Sequence, residues 1–170
     1  MIQAKFSGTK IYSTSEEAFS LCEKSSFGEN KNNKIEYALV EALFLVQEGK
    51  MQIFSGKKQI NEELLIKKLK KIDKKTETKL SVFSDLRKKG YIIKTALKFG
   101  AEFRVYDKGT RPGNAHAKWI LYTAKEHDSI NWHEFAAKNR IAHSTNKNLL
   151  IAIVDEESDV SYYEVSWQKP

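Results

Sequence analysis

Apolar positions recur along the chain with two different periods. Ile35, Leu39, Leu43 and Val46 fall on one face at helical spacing, so a helix is expected from near Asn33 to a stop at Gly49. Ahead of it, Thr14 with Glu17, or Ser13 with Glu16, forms a capping box that opens a short helix through Leu21. Met51–Phe54 and Gln59–Ile60 read as short strands around a Ser55-Gly56 turn. Asn61 then caps a third helix, with Glu62 and Glu63 in its first turn and lysines towards its end, the order a helix dipole favours.

The run KKIDKKTETK (70–79) holds one hydrophobic residue and neither Gly nor Pro, so it reads as a linker or a helical bridge. Beyond it Thr78 caps a helix ending at Gly90. Strands are expected at 91–97, 102–107 and 117–123, a helix at about 132–145, and strands at 149–154 and 160–167. Helices and strands mix in both halves. The expected fold is α/β (mixed α+β): a small N-terminal α/β domain over 1–75, then a C-terminal α/β domain over 76–170 with a central mixed sheet.

Composition narrows the class. A chain of 170 residues with 41% hydrophobic content can bury a core. Cys22 is the single cysteine, which excludes an internal disulfide and a cysteine-based zinc site and suits a reducing compartment. The start MIQAKFSGTK has no apolar run of signal-peptide type. YALVEALFLVQ is broken by Glu41 and is too short to span a bilayer. A soluble cytoplasmic protein without membrane partners is expected. The net charge of +7 is uneven: residues 79–125 carry eleven lysines and arginines against three acids, and residues 126–170 carry four against eight. Such a basic segment fits a polyanion partner, and equally a solvated lysine-rich surface.

Three residues carry candidate chemistry: Tyr106, His116 and Lys147. A phenol, an imidazole and an ammonium supply a base, an acid and a fixed cation. In Phe103-Arg104-Val105-Tyr106, alternation sets Arg104 and Tyr106 on one strand face, at a strand end that opens into the loop Asp107–Asn114. On residues alone Tyr106 is a half-buried strand tyrosine. His116 follows the bend-prone Gly109, Pro112 and Gly113. His127 and His133 read as solvent-exposed, and His143 as a packed or capping residue with a substrate contact also open. Position alone does not choose His116 over His143. A lysine at a helix C-terminus, as at Lys147, is ordinary.

The stretches SDLRKKGYIIKT (84–95), LKFGAEFRVYDKG (97–109), the Pro-Gly loop before His116, RIAHSTNK (140–147) and LLIAIVDEESDVSYYEVSW (149–167) together resemble the archaeal tRNA-splicing endonuclease family. EALFLVQEGKMQI (41–53) carries a weaker likeness in the N-terminal half. The resemblance selects His116, which opens the strand after the Gly-rich loop, and Lys147, which ends the pattern Arg140, Ala142, His143, Ser144, Lys147. It implies a metal-independent cut of precursor tRNA at bulge-helix-bulge junctions, with no cofactor and no metal site. Tyr106 would be the base for the 2′-hydroxyl, His116 the acid for the leaving 5′-oxygen, and Lys147 the stabiliser of the phosphorane. A free phenol ionises only near pH 10 (about), which is a reason to want the lysine in the same pocket.

The resemblance also implies that Arg140 stacks on an extruded base, with Trp167 as the opposing plate. Trp167 reads equally as an ordinary C-terminal strand aromatic. The acids Asp155, Glu156, Glu157 and Asp159 read on their own as a solvated hairpin turn; by resemblance they dock into a neighbouring subunit of a homotetramer, or of a heterotetramer with a related chain. Two departures are visible: Ala117 where serine is usual after the histidine, and Thr95-Ala96 for a more usual Thr-Gly. A non-catalytic subunit of the same assembly is the second reading, opposed by the intact trio. A metal-dependent nuclease ranks third, because apart from the turn acids the C-terminal carboxylates are mostly isolated.

Overall fold

The computed structural model describes residues 1–170, which form two compact units, Met1–Phe83 and Ser84–Pro170. The first holds strands β1 (Ile2–Ser7), β2 (Lys10–Ser13), β3 (Glu29–Lys31), β4 (Lys34–Tyr37), β5 (Met51–Ser55) and β6 (Lys58–Ile60). They form one sheet in the order β3-β4-β2-β1-β5-β6, with β1 and β5 parallel. Helices α1 (Glu16–Ser25), α2 (Leu39–Gln47) and α3 (Glu62–Ile72) complete it, and α4 (Thr76–Lys88) begins in it.

Local chemistry accounts for these boundaries, and it corrects two expectations. Helix α1 is capped by Ser15, whose side chain accepts the Ala18 N–H, and not by Ser13 or Thr14. Ser13 belongs to β2, where its hydroxyl donates to the Gln3 carbonyl at 2.6 Å. The helix expected from Asn33 begins only at Leu39, because residues 29–37 fold into the β3–β4 hairpin. Asn32 and Asn33 both take positive φ, 52° and 57°, the geometry of a type I′ turn that asparagine tolerates. Helix α2 then starts without a side-chain cap from Ala38, but Glu41 reaches back to the Ala38 N–H at 3.1 Å. Its other oxygen accepts the Gly28 N–H, and Gly28 has no room for a side chain: a Cβ there would lie 2.4 Å from Ile35. Asn61 caps α3 as its side-chain chemistry suggests. The core of this unit buries Leu43, Leu45, Leu65, Leu69 and Ile53 completely, beside the ring cluster Phe27, Phe44 and Phe83. Each such side chain contributes about 1.5–3 kcal/mol of transfer free energy.

The second unit is a five-stranded sheet, β11 (Val160–Val165), β10 (Asn148–Val154), β9 (Trp119–Lys125), β8 (Ala101–Tyr106) and β7 (Ile92–Ala96), in that spatial order. β7, β8 and β9 form an antiparallel meander. β9 and β10 run parallel, joined by α5 (Trp132–Ser144), and β11 folds back antiparallel. Phe135 and Ala142 of α5 pack on Ile120, Tyr122 and Leu149, so α5 covers one face. Strands and helix fall where alternation and periodicity expect them. Helix α4 begins at Thr76, two residues before the expected cap. The mixed α/β architecture is as the sequence indicates, and no helix is long and apolar enough to cross a membrane.

Candidate active site

The twelve residues between β8 and β9 make a long hairpin connection, and they leave the sheet at the end where the parallel pair β9–β10 begins. At that end Val105, Trp119 and Asn148 form one rung across three strands. One residue further out along each strand stand Tyr106, Lys118 and Lys147. The backbone ties this edge together: the Lys118 N–H donates to the Val105 carbonyl at 2.9 Å, and the Asn148 N–H to the Lys118 carbonyl at 3.0 Å. Tyr106 and Lys147 lie two strands apart, about 10 Å between Cα atoms at ordinary strand spacing. His116 follows the Gly113-Asn114 turn, two residues beyond Lys118 towards the same edge. The topology thus brings the three sequence candidates to one end of one sheet.

Each is held differently. Tyr106 is 4% exposed, more deeply buried than its strand position suggests, with the Arg104 guanidinium 6.0 Å from its ring centre. His116 is exposed. Lys147 owes its place to the end of α5. Asn146 takes the left-handed conformation, φ 54°, and closes a Schellman motif: its N–H donates to the His143 carbonyl and that of Lys147 to the Ala142 carbonyl. The chain turns from helix to β10 in two residues, and Lys147 sits at the turn. Its Nζ donates to the Thr145 carbonyl at 2.8 Å and lies 5.7 Å from the Phe99 ring centre. Both partners are neutral and the helix C-terminus is electronegative, so the ammonium charge is held without being cancelled.

Arg140 and His143 are both exposed on α5 and lie three residues apart, hence on one face. Trp167, 51% exposed, packs on His143 with ring centres 4.6 Å apart and planes tilted by 42°. The C-terminal indole is therefore beside the last turn of α5, on the helix that carries Arg140 and ends just before Lys147. The sequence leaves His143 as a packed or capping residue or a substrate contact; the structure makes it a surface ring packed on another ring.

The acids 155–159 lie at the opposite end of the sheet, between β10 and β11. Asp155 accepts the N–H groups of Glu157 and Asp159, both at 2.9 Å, through one oxygen, and Ser158 takes φ 69°. Glu156 faces His127 at 3.0 Å, and Glu126 lies 3.5 Å from the same imidazole nitrogen. The four acids are thus presented on a rigid turn, far from the edge with Tyr106 and Lys147.

Lys118 has no motif to mark it, yet it immediately precedes β9, the strand between β8 and β10. Glu164 was equally invisible: it accepts from the Trp119 indole at 2.5 Å and from the Asn148 amide at 2.9 Å, locking β9 to β10 one residue inside the edge. The first contact spans 45 residues, so no local pattern announces it.

A two-unit α/β chain whose C-terminal sheet gathers a tyrosine, a histidine and lysines at one edge has clear relatives. The profile of the tRNA intron endonuclease N-terminal domain matches residues 2–66, and that of the tRNA intron endonuclease catalytic C-terminal domain matches residues 76–162. A tRNA-splicing endonuclease of Pyrococcus abyssi is 37% identical over 170 residues, covering 99% of this chain and 98% of its own. One from Thermococcus onnurineus is 37% identical over 169 residues, covering 99% and 97%. Another, from Nanoarchaeum equitans, is 40% identical over 141 residues, 79% of this chain and 90% of its own. The chain belongs to the tRNA intron endonuclease family.

Proposed function

We propose that the chain is a tRNA-splicing endonuclease that cuts precursor tRNA at bulge-helix-bulge junctions, without a metal, by transesterification within the RNA. The observation that carries this reading is the shared sheet edge: Tyr106 and Lys147 one residue beyond the rung Val105–Trp119–Asn148, with His116 in the adjoining loop. Family membership over both domains supports the substrate class.

In the proposed reaction the 2′-oxygen beside the scissile phosphate attacks phosphorus in line. Tyr106, acting as its phenolate, takes the 2′-hydroxyl proton and becomes the neutral phenol, and the new O2′–P bond closes a 2′,3′-cyclic phosphate as the P–O5′ bond breaks. His116 gives its proton to the departing 5′-oxygen, which leaves as a hydroxyl. Lys147 balances the extra charge of the pentacoordinate phosphorane, a charge that exists only near the transition state. Base and acid on opposite sides of phosphorus are what an in-line displacement requires. No atom or electron is left unaccounted for, and no cofactor enters.

Arg140 and Trp167 would hold a base turned out of the bulge, guanidinium on one face and indole on the other. The presented acids Asp155, Glu156, Glu157 and Asp159 would dock on a neighbouring subunit in a four-subunit cytoplasmic assembly, of identical copies or with a related chain. A two-fold assembly matches a junction with two bulges and reads shape. The test is cleavage of a bulged precursor tRNA in excess EDTA, with analysis of the ends. A 2′,3′-cyclic phosphate and a 5′-hydroxyl are expected; a 3′-hydroxyl product, or activity restored only by a divalent ion, contradicts the reaction.

A further inference from the structure

Next to the Tyr106 edge, two aromatic rings carry two lysines. Tyr91 and Trp119 meet edge to face, ring centres 5.9 Å apart at 73°. The Lys108 Nζ lies 5.1 Å from the Tyr91 ring centre and the Lys118 Nζ 4.3 Å from that of Trp119. Helix α4 delivers Tyr91 by a Schellman ending like that of α5: Gly90 takes φ 90°, and the N–H groups of Gly90 and Tyr91 donate to the carbonyls of Arg87 and Leu86. Trp119 is 8% exposed and anchored by Glu164 through its indole N–H. The rings are therefore fixed and the lysine heads are exposed above them.

An aromatic face orients an ammonium without neutralising it, because the ring has a quadrupole and no net charge. Part of the side-chain freedom a ligand would otherwise have to remove is already lost. Two acids lie near this pair: Asp107, whose Oδ2 lies 3.7 Å from the Lys118 Nζ, and Glu164, which accepts from the Trp119 indole. The first is a loose, half-exposed pair that competes weakly. Glu164 is already engaged by the indole and the Asn148 amide.

We propose that Lys108 and Lys118, seated on the Tyr91–Trp119 ring pair, form a subsite for backbone phosphates of the RNA strand that flanks the scissile bond. The subsite rests on the nuclease reading and extends it. Lys118 immediately precedes β9, which lies between the strand that ends at Tyr106 and the strand that follows Lys147. Lys108 lies two residues beyond Tyr106. The contact is to phosphate, so it carries register and not sequence.

The experiment measures binding of a bulged precursor tRNA and of a plain RNA duplex across a salt series. It uses the full chain with His116→Ala as parent, so that the RNA stays intact. Adding Lys108→Gln and Lys118→Gln is expected to weaken binding to both RNAs alike and to make the log–log salt slope shallower by about 0.7–0.9 per lysine. Arginine at both positions is expected to restore the parent's slope. Light scattering of the same variants must give the parent's mass. An unchanged slope, or a fall in mass showing that the lysines meet an acidic protein surface, overturns the subsite. A parent with no salt-dependent RNA binding overturns the nuclease reading and this subsite together; a parent that binds, with a slope the two glutamines leave unmoved, overturns the subsite alone.

Discussion

The two ends of the C-terminal sheet handle charge in opposite ways. At the β10–β11 end, carboxylates are satisfied locally: Asp155 accepts two backbone N–H groups, Asp128 accepts that of Lys125, and Glu156 faces His127. At the other end, ammonium groups rest mainly on neutral partners: Lys147 on a carbonyl and a phenylalanine ring, Lys108 and Lys118 on aromatic rings. The first arrangement makes a stiff turn that can be presented as a unit. The second keeps positive charge ordered and available. One sheet thus carries locally satisfied carboxylates at one end and ammonium groups on mainly neutral partners at the other, and the difference lies in what each charge is paired with.

The largest effect should come from removing the chemistry at the cationic end. His116→Ala is expected to slow single-turnover cleavage about 10²–10⁴-fold, read on a bulged precursor under saturating enzyme. Lys147→Gln should follow at about 10²–10³-fold, since it removes one preorganised charge from the transition state. An equal loss from Asp155→Ala in the same assay, with the assembly's mass unchanged by light scattering, would break the contrast between the two ends. Asn146→Val probes how Lys147 is held. A β-branched residue at φ 54° is expected to cost about 1–2 kcal/mol in denaturant unfolding and to lower cleavage, while Asn146→Gly restores both.

At the acidic end, Asp155→Ala frees two backbone N–H groups and should cost about 0.5–2 kcal/mol of stability, measured by thermal unfolding. The smallest effect concerns Tyr162, on β11 between the two ends. Burial raises its ionisation above the usual tyrosine range, and the hydrogen bond it donates to Asp85 at 2.7 Å raises it further. A raised folded-state value favours the neutral phenol, so its contribution is complete below about pH 10 and is lost as pH climbs above it. Tyr162→Phe should therefore cost about 1 kcal/mol at neutral pH and flatten the alkaline loss, in unfolding curves between pH 8 and 12 (about).

The C-terminal elements were legible in the sequence because their signals are local: strict alternation in 102–106, an apolar run at 149–154, a helical stretch between Asn131 and Thr145. The first unit was harder. Its β3–β4 hairpin has strands of three and four residues, too short for a period to show, and Ile35 happens to continue the spacing of the helix that follows. The Asn32-Asn33 pair was the available sign, since two adjacent residues able to take positive φ favour a tight turn. Strands β1 and β2 lie outside the elements the sequence pattern predicts, although Ile2 and Ala4 alternate inward and Gly8 turns between them. For the site, residue types and resemblance named Tyr106, His116 and Lys147, but their common edge depends on the β8–β9–β10 register. Lys118 and Glu164 matter through that same register, which no short window of sequence contains.

Replacing the departing 5′-oxygen by sulfur tests the assignment most directly. A thiol has a pKa of about 8.5, far below the value of about 15.7 that holds a proton on water, so a 5′-thiolate leaves without an acid. On such a substrate the His116→Ala chain is expected to recover cleavage to near the unsubstituted enzyme's rate, while Tyr106→Phe stays slow because the 2′-hydroxyl still needs a base. Recovery of neither variant, or of both equally, would contradict the roles assigned at this edge of the sheet.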